Sequence, residues 1–276
     1  MLRKPLSLFV VFASIVLFST SSFGLDFMGP PVSTLEKRQF GGGLEYSFGD
    51  IDFSWNNGKR FFPGGGGGPL QSVKFNTDWE MRKISAYLEY GALENWDVFL
   101  RLGCVVVDGQ GRMPWGTEGD LNGNHGHAYG FGTRATIWEQ SSKLKWGALF
   151  QVNWNNDLAG KMKTVMDGQT TTMKYKYSFT EYQIAFGPRY QIKERCYIYG
   201  GPFLHFISGK VHSKGDFDDG GGVTANKYSW DIKERSTVGG YLGLQVDVIE
   251  NKLPLFVEYQ HTAAADMLAM NLIMKF

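Results

Sequence analysis

A few stretches of this chain combine residue types that could do chemistry. His125 and His127, in Asn124-His125-Gly126-His127, stand two apart and could share a metal ion. A zinc-type site needs at least three protein ligands, and no third one lies nearby. The glycine run at 64–68, between Pro63 and Pro69, lacks the Gly-Lys-Ser/Thr ending that cradles phosphate, so it reads as a flexible loop tip. Asp216-Phe217-Asp218-Asp219-Gly220 starts like a calcium loop, but position twelve from Asp216 is Lys227, where an EF-hand needs Glu. Glu258 and His261 form at best a loose acid–base pair. No cofactor and no metal is expected from this set.

The elements that must carry these residues are strands. Ten segments alternate apolar with polar or small residues, the pattern of side chains pointing to opposite faces of a sheet. They run at about 39–55, 81–90, 96–107, 128–138, 144–154, 177–190, 195–207, 230–248, 253–260 and 266–276. The last one presents Leu268, Met270, Leu272, Met274 and Phe276 on one face. In the first, Phe40, Leu44, Tyr46 and Phe48 give way to Ile51, Phe53 and Trp55, a slip of one residue that a bulge near Gly49-Asp50 would produce. The face opposite the apolar series holds Glu45, Lys83, Glu89, Arg101, Arg134, Lys145, Glu181, Arg189, Arg235, Asp247 and Glu258. Nine glycines share it, among them Gly132 and Gly243.

The connectors alternate as well. Those at 91–95, 139–143, 191–194 and 249–252 are tight. Those at about 56–80, 108–127, 155–176 and 208–229 are long and are predicted to be loops. Short turns on one rim and long connections on the other are the layout of a transmembrane barrel, and an even strand count puts both termini on the short-turn rim. Tyr90, Trp96 and Tyr190 sit beside short turns, where an aromatic girdle belongs.

The N-terminus supplies a compartment. Arg3 and Lys4 precede an apolar stretch over 6–18, and Ser22-Phe23-Gly24 offers a cleavage site, so residues 1–24 are predicted to be a secretory signal peptide. Residues 25–37 then form a leader and residues 38–276 the barrel domain. Without Arg3 and Lys4, 26 Lys+Arg face 27 Asp+Glu, a balance that does not suggest a nucleic-acid binder. Mean hydropathy is −0.23, so a membrane protein of this composition must cross with strands. Glycine (36 residues) and aromatics (15 %), without any collagen-like period, fit an all-β chain.

On these features the chain resembles the outer-membrane β-barrel superfamily, and Tyr90-Gly91-Ala92-Leu93-Glu94-Asn95-Trp96 is similar to the periplasmic turns of its small members. The resemblance covers about 38–276. It implies an all-β, transmembrane antiparallel up-and-down barrel of about ten strands in the bacterial outer membrane. It also implies contact with outer-membrane lipid and lipopolysaccharide, and Phe276 as a C-terminal signal to the barrel assembly machinery. The expected state is a monomer. Omptin-like proteases carry an Asp-x-His element, but no histidine here has Asp two residues before it, although Asp50-Ile51-Asp52 could mimic their acidic pair. Small-barrel lipid A deacylases carry His-x-Ser, but His261 is followed by Thr262 and Ala263. Ten strands lie near the closed end of barrel sizes, so the eleven charges are expected to form a network that plugs the lumen. The expected function is non-catalytic, with an envelope or surface role. A narrow porin-like channel and a rim enzyme are the alternatives. Cys104 and Cys196 fall in the lipid-facing series on strands that are not neighbours, so both are predicted to be free thiols.

Overall fold

The computed structural model describes residues 25–61, 67–69, 76–112, 118–123, 125–166, 169–218 and 223–276. The predicted signal peptide lies outside them, as do residues 64–66 of the glycine run and residues 219–220 of the acidic stretch. The described strands are β1 (Phe40–Phe61), β2 (Gly67–Pro69), β3 (Asn76–Leu93), β4 (Trp96–Arg112), β5 (Glu118–Gly123), β6 (His125–Glu139), β7 (Leu144–Met166), β8 (Gln169–Lys193), β9 (Cys196–Asp218), β10 (Val223–Glu234), β11 (Val238–Ile249), β12 (Leu253–Thr262) and β13 (Ala265–Lys275).

Ten of them close a ring. β1, β3, β4, β6, β7, β8, β9, β11, β12 and β13 pair in that order, all antiparallel, and β13 returns to β1 from Gly41↔Lys275 to Ile51↔Ala265. Closure removes every edge that lipid could not satisfy. Leu44, Ile84, Leu102 and Leu242 are more than half exposed on the outer face, while Glu45, Lys83, Arg101 and Glu258 on the inner face are 0–3 % exposed. Each strand gives about nine residues to the apolar belt. At ~3.3 Å each and a tilt of ~40° they span about 23 Å, the height of a transmembrane barrel's apolar band. Rings mark its edges: Phe40 packs on Tyr90 near one rim and Tyr129 stacks on Trp154 near the other.

Three sequence expectations need correction. The four long connectors are mostly strand. β8 alone runs for 25 residues, and β7 and β8 stay paired from Leu144↔Tyr190 to Met166↔Gln169. The register of β1 against β3 is continuous through Phe48↔Arg82, Gly49↔Met81 and Ile51↔Trp79, so there is no bulge at Gly49-Asp50. Ile51, Phe53 and Trp55 face inward and are buried. The apolar series changes face because the strand leaves the membrane. Past that edge the outside meets water and the inside becomes an ordinary apolar core. Lastly, the segment at 230–248 is two strands, β10 and β11, separated at residues 235–237.

That break has a geometric cause. The β12–β13 hairpin turns back at residues 263–264, and the Asp52 amide donates to the Ala264 carbonyl there at 2.8 Å. Above the hairpin β10 takes its place, pairing with β9 on one side and with β1 from Phe53↔Glu234 to Phe61↔Lys227 on the other. β5 likewise stands above β6, between β4 and β7. The outer storey is therefore a ring of eight strands: β1, β3, β4, β5, β7, β8, β9 and β10. An eight-stranded barrel leaves room only for side chains. Here they are Phe53, Trp55, Trp79, Tyr177, Phe179 and Trp230, all buried and in mutual ring contact, such as Trp79–Tyr177 at 4.6 Å and Trp55–Trp230 at 5.5 Å.

Candidate functional site

The wider ten-stranded storey is filled by the leader. Leu25, Asp26, Phe27, Met28, Val32 and Leu35 are all buried inside the barrel. The segment runs along the lumen towards the short-turn rim, where the Arg38 amide donates to the Gly91 carbonyl at 2.7 Å and β1 begins. Gly29 has φ 78, a left-handed turn that a side chain rarely adopts, and a Cβ there would press on the Arg134 guanidinium and the Phe27 ring.

Lumen side chains grip this segment at three levels. Near the short-turn rim, Asp97 accepts from Ser33 Oγ and the Thr34 amide, both at 2.7 Å, and Lys275 Nζ donates to the Thr34 carbonyl at 2.6 Å. Arg134 there binds Glu89, donates to Tyr87 Oη at 3.0 Å and lies 3.4 Å from Asp97. In the middle, Glu258 receives the amides of Met28 and Gly29, each at 2.8 Å. Arg101 donates to Glu45 at 2.7 Å, to Gln151 at 2.9 Å and to the Phe27 carbonyl. The belt continues through side-chain amides, from Gln151 to Gln183, from Gln183 to Gln260 at 3.0 Å, and from Gln260 to Glu258 at 2.7 Å. Highest, Lys83 lies 2.9 Å from Asp26 and 3.3 Å from Glu181, which His205 also contacts at 3.1 Å.

Of the eleven charges singled out from sequence, Glu45, Lys83, Glu89, Arg101, Arg134, Glu181 and Glu258 meet in this network. Asp247 is inside as well, bound by Gln245 at 2.8 Å. Arg189 points inward but meets no carboxylate among the described residues. It donates to Gln245 at 3.1 Å and lies over the Tyr197 ring at 3.7 Å. Two charges lie elsewhere. Lys145 pairs with Glu139 beside a short turn at 2.6 Å, and Arg235, in the break between β10 and β11, pairs with Asp52 and is 39 % exposed. Asp97 and His205 escaped notice although their parity placed them inside. Asp26 could not be found that way, because nothing in residues 25–37 announces a lumen segment.

The lumen glycines make room for rings. Gly132 stands opposite Phe99, Gly243 opposite Tyr199 and Gly239 opposite Phe203, and in each case an added Cβ would fall within the neighbouring ring. Each ring covers a bare backbone, a cross-strand pairing that pins register.

The other candidates are placed apart. His125 and His127 are on the outward, exposed face of β6, and among the described residues no three metal-binding side chains cluster. Glu258 points into the lumen and His261 out of it, so the acid–base pair does not form. The partner of His261 is Asp266 at 2.6 Å, on the outer face. Cys104 and Cys196 are free. Phe276 is 74 % exposed on the lipid face, and its amide donates to the Phe40 carbonyl at 2.8 Å.

No family model matches this chain, and no curated protein matches it in sequence. Solved structures similar to it include the outer membrane protease OmpT from Escherichia coli, at 10 % identity and a TM-score of 0.43, over 91 % of this chain and 97 % of that one. The outer membrane protein OprG from Pseudomonas aeruginosa is similar at 10 % identity and a TM-score of 0.41, over 87 % and 97 %. The Ralstonia pickettii toluene transporter TbuX is similar at 10 % and 0.39, over 87 % and 89 %. On its own geometry the chain has the outer-membrane β-barrel fold: closed antiparallel strands, an apolar belt outside, charges inside, short turns on one rim and long extensions on the other. A single-chain barrel built this way belongs in the bacterial outer membrane.

Proposed function

We propose that this protein is a non-catalytic outer-membrane barrel whose lumen is closed by its own leader, and that it acts at the cell surface through the eight-stranded storey it holds outside the membrane. One observation carries the reading: residues 25–35 lie in the lumen where a solute would pass, held by Asp97, Arg101, Glu258 and Lys275. The aromatic core of the outer storey lies in series with this plug. In the same reading residues 1–24 are removed on export, so that the chain starts at Leu25.

A narrow ion path is the second reading. It draws on Asn155 and Asn271, whose buried side-chain amides have no partner among the described residues. Groups of this kind take water, and a file of water could conduct small ions. Planar bilayers separate the two. The plugged barrel should show no steady conductance, and large, steady channels from the wild-type protein would overturn the first reading.

A further inference from the structure

Above the lipid belt, the outward faces of β7 to β10 carry lysines in register. Lys161 stands opposite Lys174, Lys174 opposite Lys214, and Lys214 opposite Lys227, so four ammonium groups lie abreast on four neighbouring strands. The row next nearer the membrane places Lys176 opposite His212, His212 opposite Ser229 and Ser229 opposite Lys59. Among the described residues, the one anionic partner within these two rows is Asp157, 2.8 Å from Lys176. Nearer the membrane Lys210 faces Asp231, which Asn57 holds at 2.9 Å, and farther out Asp216 and Asp218 follow Lys214 along β9. Like charges directly opposite each other destabilise a sheet. Strands stand about 4.8 Å apart, well inside the ~8 Å Debye length, so salt does little to relieve the four-lysine row. A cleft of about 540 Å³ opens along it, lined among others by Lys174, Lys176, His212, Lys214, Lys227 and Ser229.

The height of the row selects its occupant. Lys174 lies eight residues beyond Tyr182, the last lipid-facing ring of β8. At ~3.3 Å per residue and ~40° tilt that is about 20 Å above the belt, whereas the headgroup layer is only about 5–8 Å thick. Phospholipid headgroups do not reach it, so the ligand's anionic groups stand above the headgroup layer, as those of a glycan chain do. Readers of single-stranded nucleic acid offer aromatic platforms to the bases. Here the register places a single aromatic residue, Phe61, opposite Lys227 at the end of the row, and the rings of the strands within it, Tyr175 and Tyr228, are buried on the opposite face of the sheet. Lysines spaced like successive sugar rings, flanked by the His212 and Ser229 hydrogen-bonding groups, match a linear chain of charged sugars. We propose that this face binds an unbranched anionic glycan laid across β7–β10, with sulfate, phosphate or carboxylate groups seated on Lys161, Lys174, Lys214 and Lys227. This rests on the long-strand end facing outward from the cell.

The test uses the full chain in detergent micelles and a fluorescent heparin-type sulfated oligosaccharide. Wild type should bind, and with about three counterions released its affinity should fall on the order of tenfold between ~50 and ~200 mM salt. The triple variant Lys174→Gln, Lys214→Gln, Lys227→Gln should lose on the order of tenfold or more in affinity at low salt. The variant Lys193→Gln, Lys252→Gln, on the opposite rim, should match wild type. Gel mobility before and after heating shows whether each variant is folded. No binding by wild type, unchanged binding by the folded triple variant, or equal capture of single-stranded DNA would overturn the proposal. Orientation is tested separately. A Lys214→Cys variant should react with a membrane-impermeant maleimide on intact cells, and failure to react would overturn the external source while binding in micelles still judges the row itself.

Discussion

Replacing Arg101 with Met probes how dry the lumen is. Arg101 is 3 % exposed. It donates to Glu45 at 2.7 Å, to Gln151 at 2.9 Å and to the Phe27 carbonyl, and its guanidinium lies over the Phe99 ring at 4.8 Å. Methionine keeps most of the stem's volume, so the packing loss should stay below ~1.5 kcal/mol. The large term is Glu45, itself 2 % exposed, which is left buried without its cation. Stranding one member of a buried pair costs about 3–5 kcal/mol. Adding Glu45→Gln to Arg101→Met removes the stranded charge and should restore all but ~1–2 kcal/mol, since a buried pair contributes little net stability over a neutral replacement. The single variants should therefore be far from additive in reversible urea unfolding of the barrel in lipid, followed by tryptophan fluorescence. Effects that add within ~0.5 kcal/mol would mean that the two side chains do not interact and that water solvates both, which would refute the locked lumen.

Two further substitutions test the assignment of faces. Leu244 sits mid-belt on the lipid side of β11, so Leu244→Arg should cost ~2–4 kcal/mol in the same unfolding assay, and a cost under ~0.5 would put that face in water. Trp55 is 2 % exposed in the outer core, so Trp55→Ala should cost ~3–5 kcal/mol, as a core deletion does, and near-neutrality would return that residue to the outer face.

The strand pattern was legible because lipid inverts the usual rule. In the membrane the apolar residues of β3 are Ile84, Ala86 and Leu88, facing out, and the residues between them, Lys83, Ser85, Tyr87 and Glu89, are buried. Strand parity therefore located seven of the network charges. It fails at Ile51, Phe53 and Trp55, because hydrophobicity does not keep one meaning along the whole strand. A change of apolar parity without a change of register marks the membrane edge, and it recurs in β8, where outward Lys174 and Lys176 precede outward Tyr182 and Ile184 while inward Tyr175 and Tyr177 precede inward Glu181 and Gln183. Lys145 keeps the parity of Arg189, which it faces in register, but sits at the rim, where Glu139 takes it, and Arg235 falls in the break between β10 and β11, where no strand parity applies. The leader's place in the lumen was not legible. Residues 25–37 have no period, and the burial of 25–35 follows from partners more than fifty positions away.

The leader's place in the lumen follows from barrel size. Ten strands enclose more space than their own side chains fill, and eight do not. The outer storey, at eight, closes with rings alone. The membrane storey, at ten, needs an added element, and the inward carboxylates dictate what it must offer. Glu258 is fully buried, and no cation is its partner among the described residues. Its charge is met by the Met28 and Gly29 amides and by Gln260. An apolar filler would leave that carboxylate stranded at a cost of several kcal/mol. An extended backbone supplies free N–H donors for Glu258 and Asp97 and free carbonyls for Arg101 and Lys275 at once, with Phe27, Met28 and Val32 filling the remaining volume. The leader is thus as much a part of the barrel's interior as any strand, and the lumen charge network expected from the sequence includes the sockets that hold it, Arg101 and Glu258 among them.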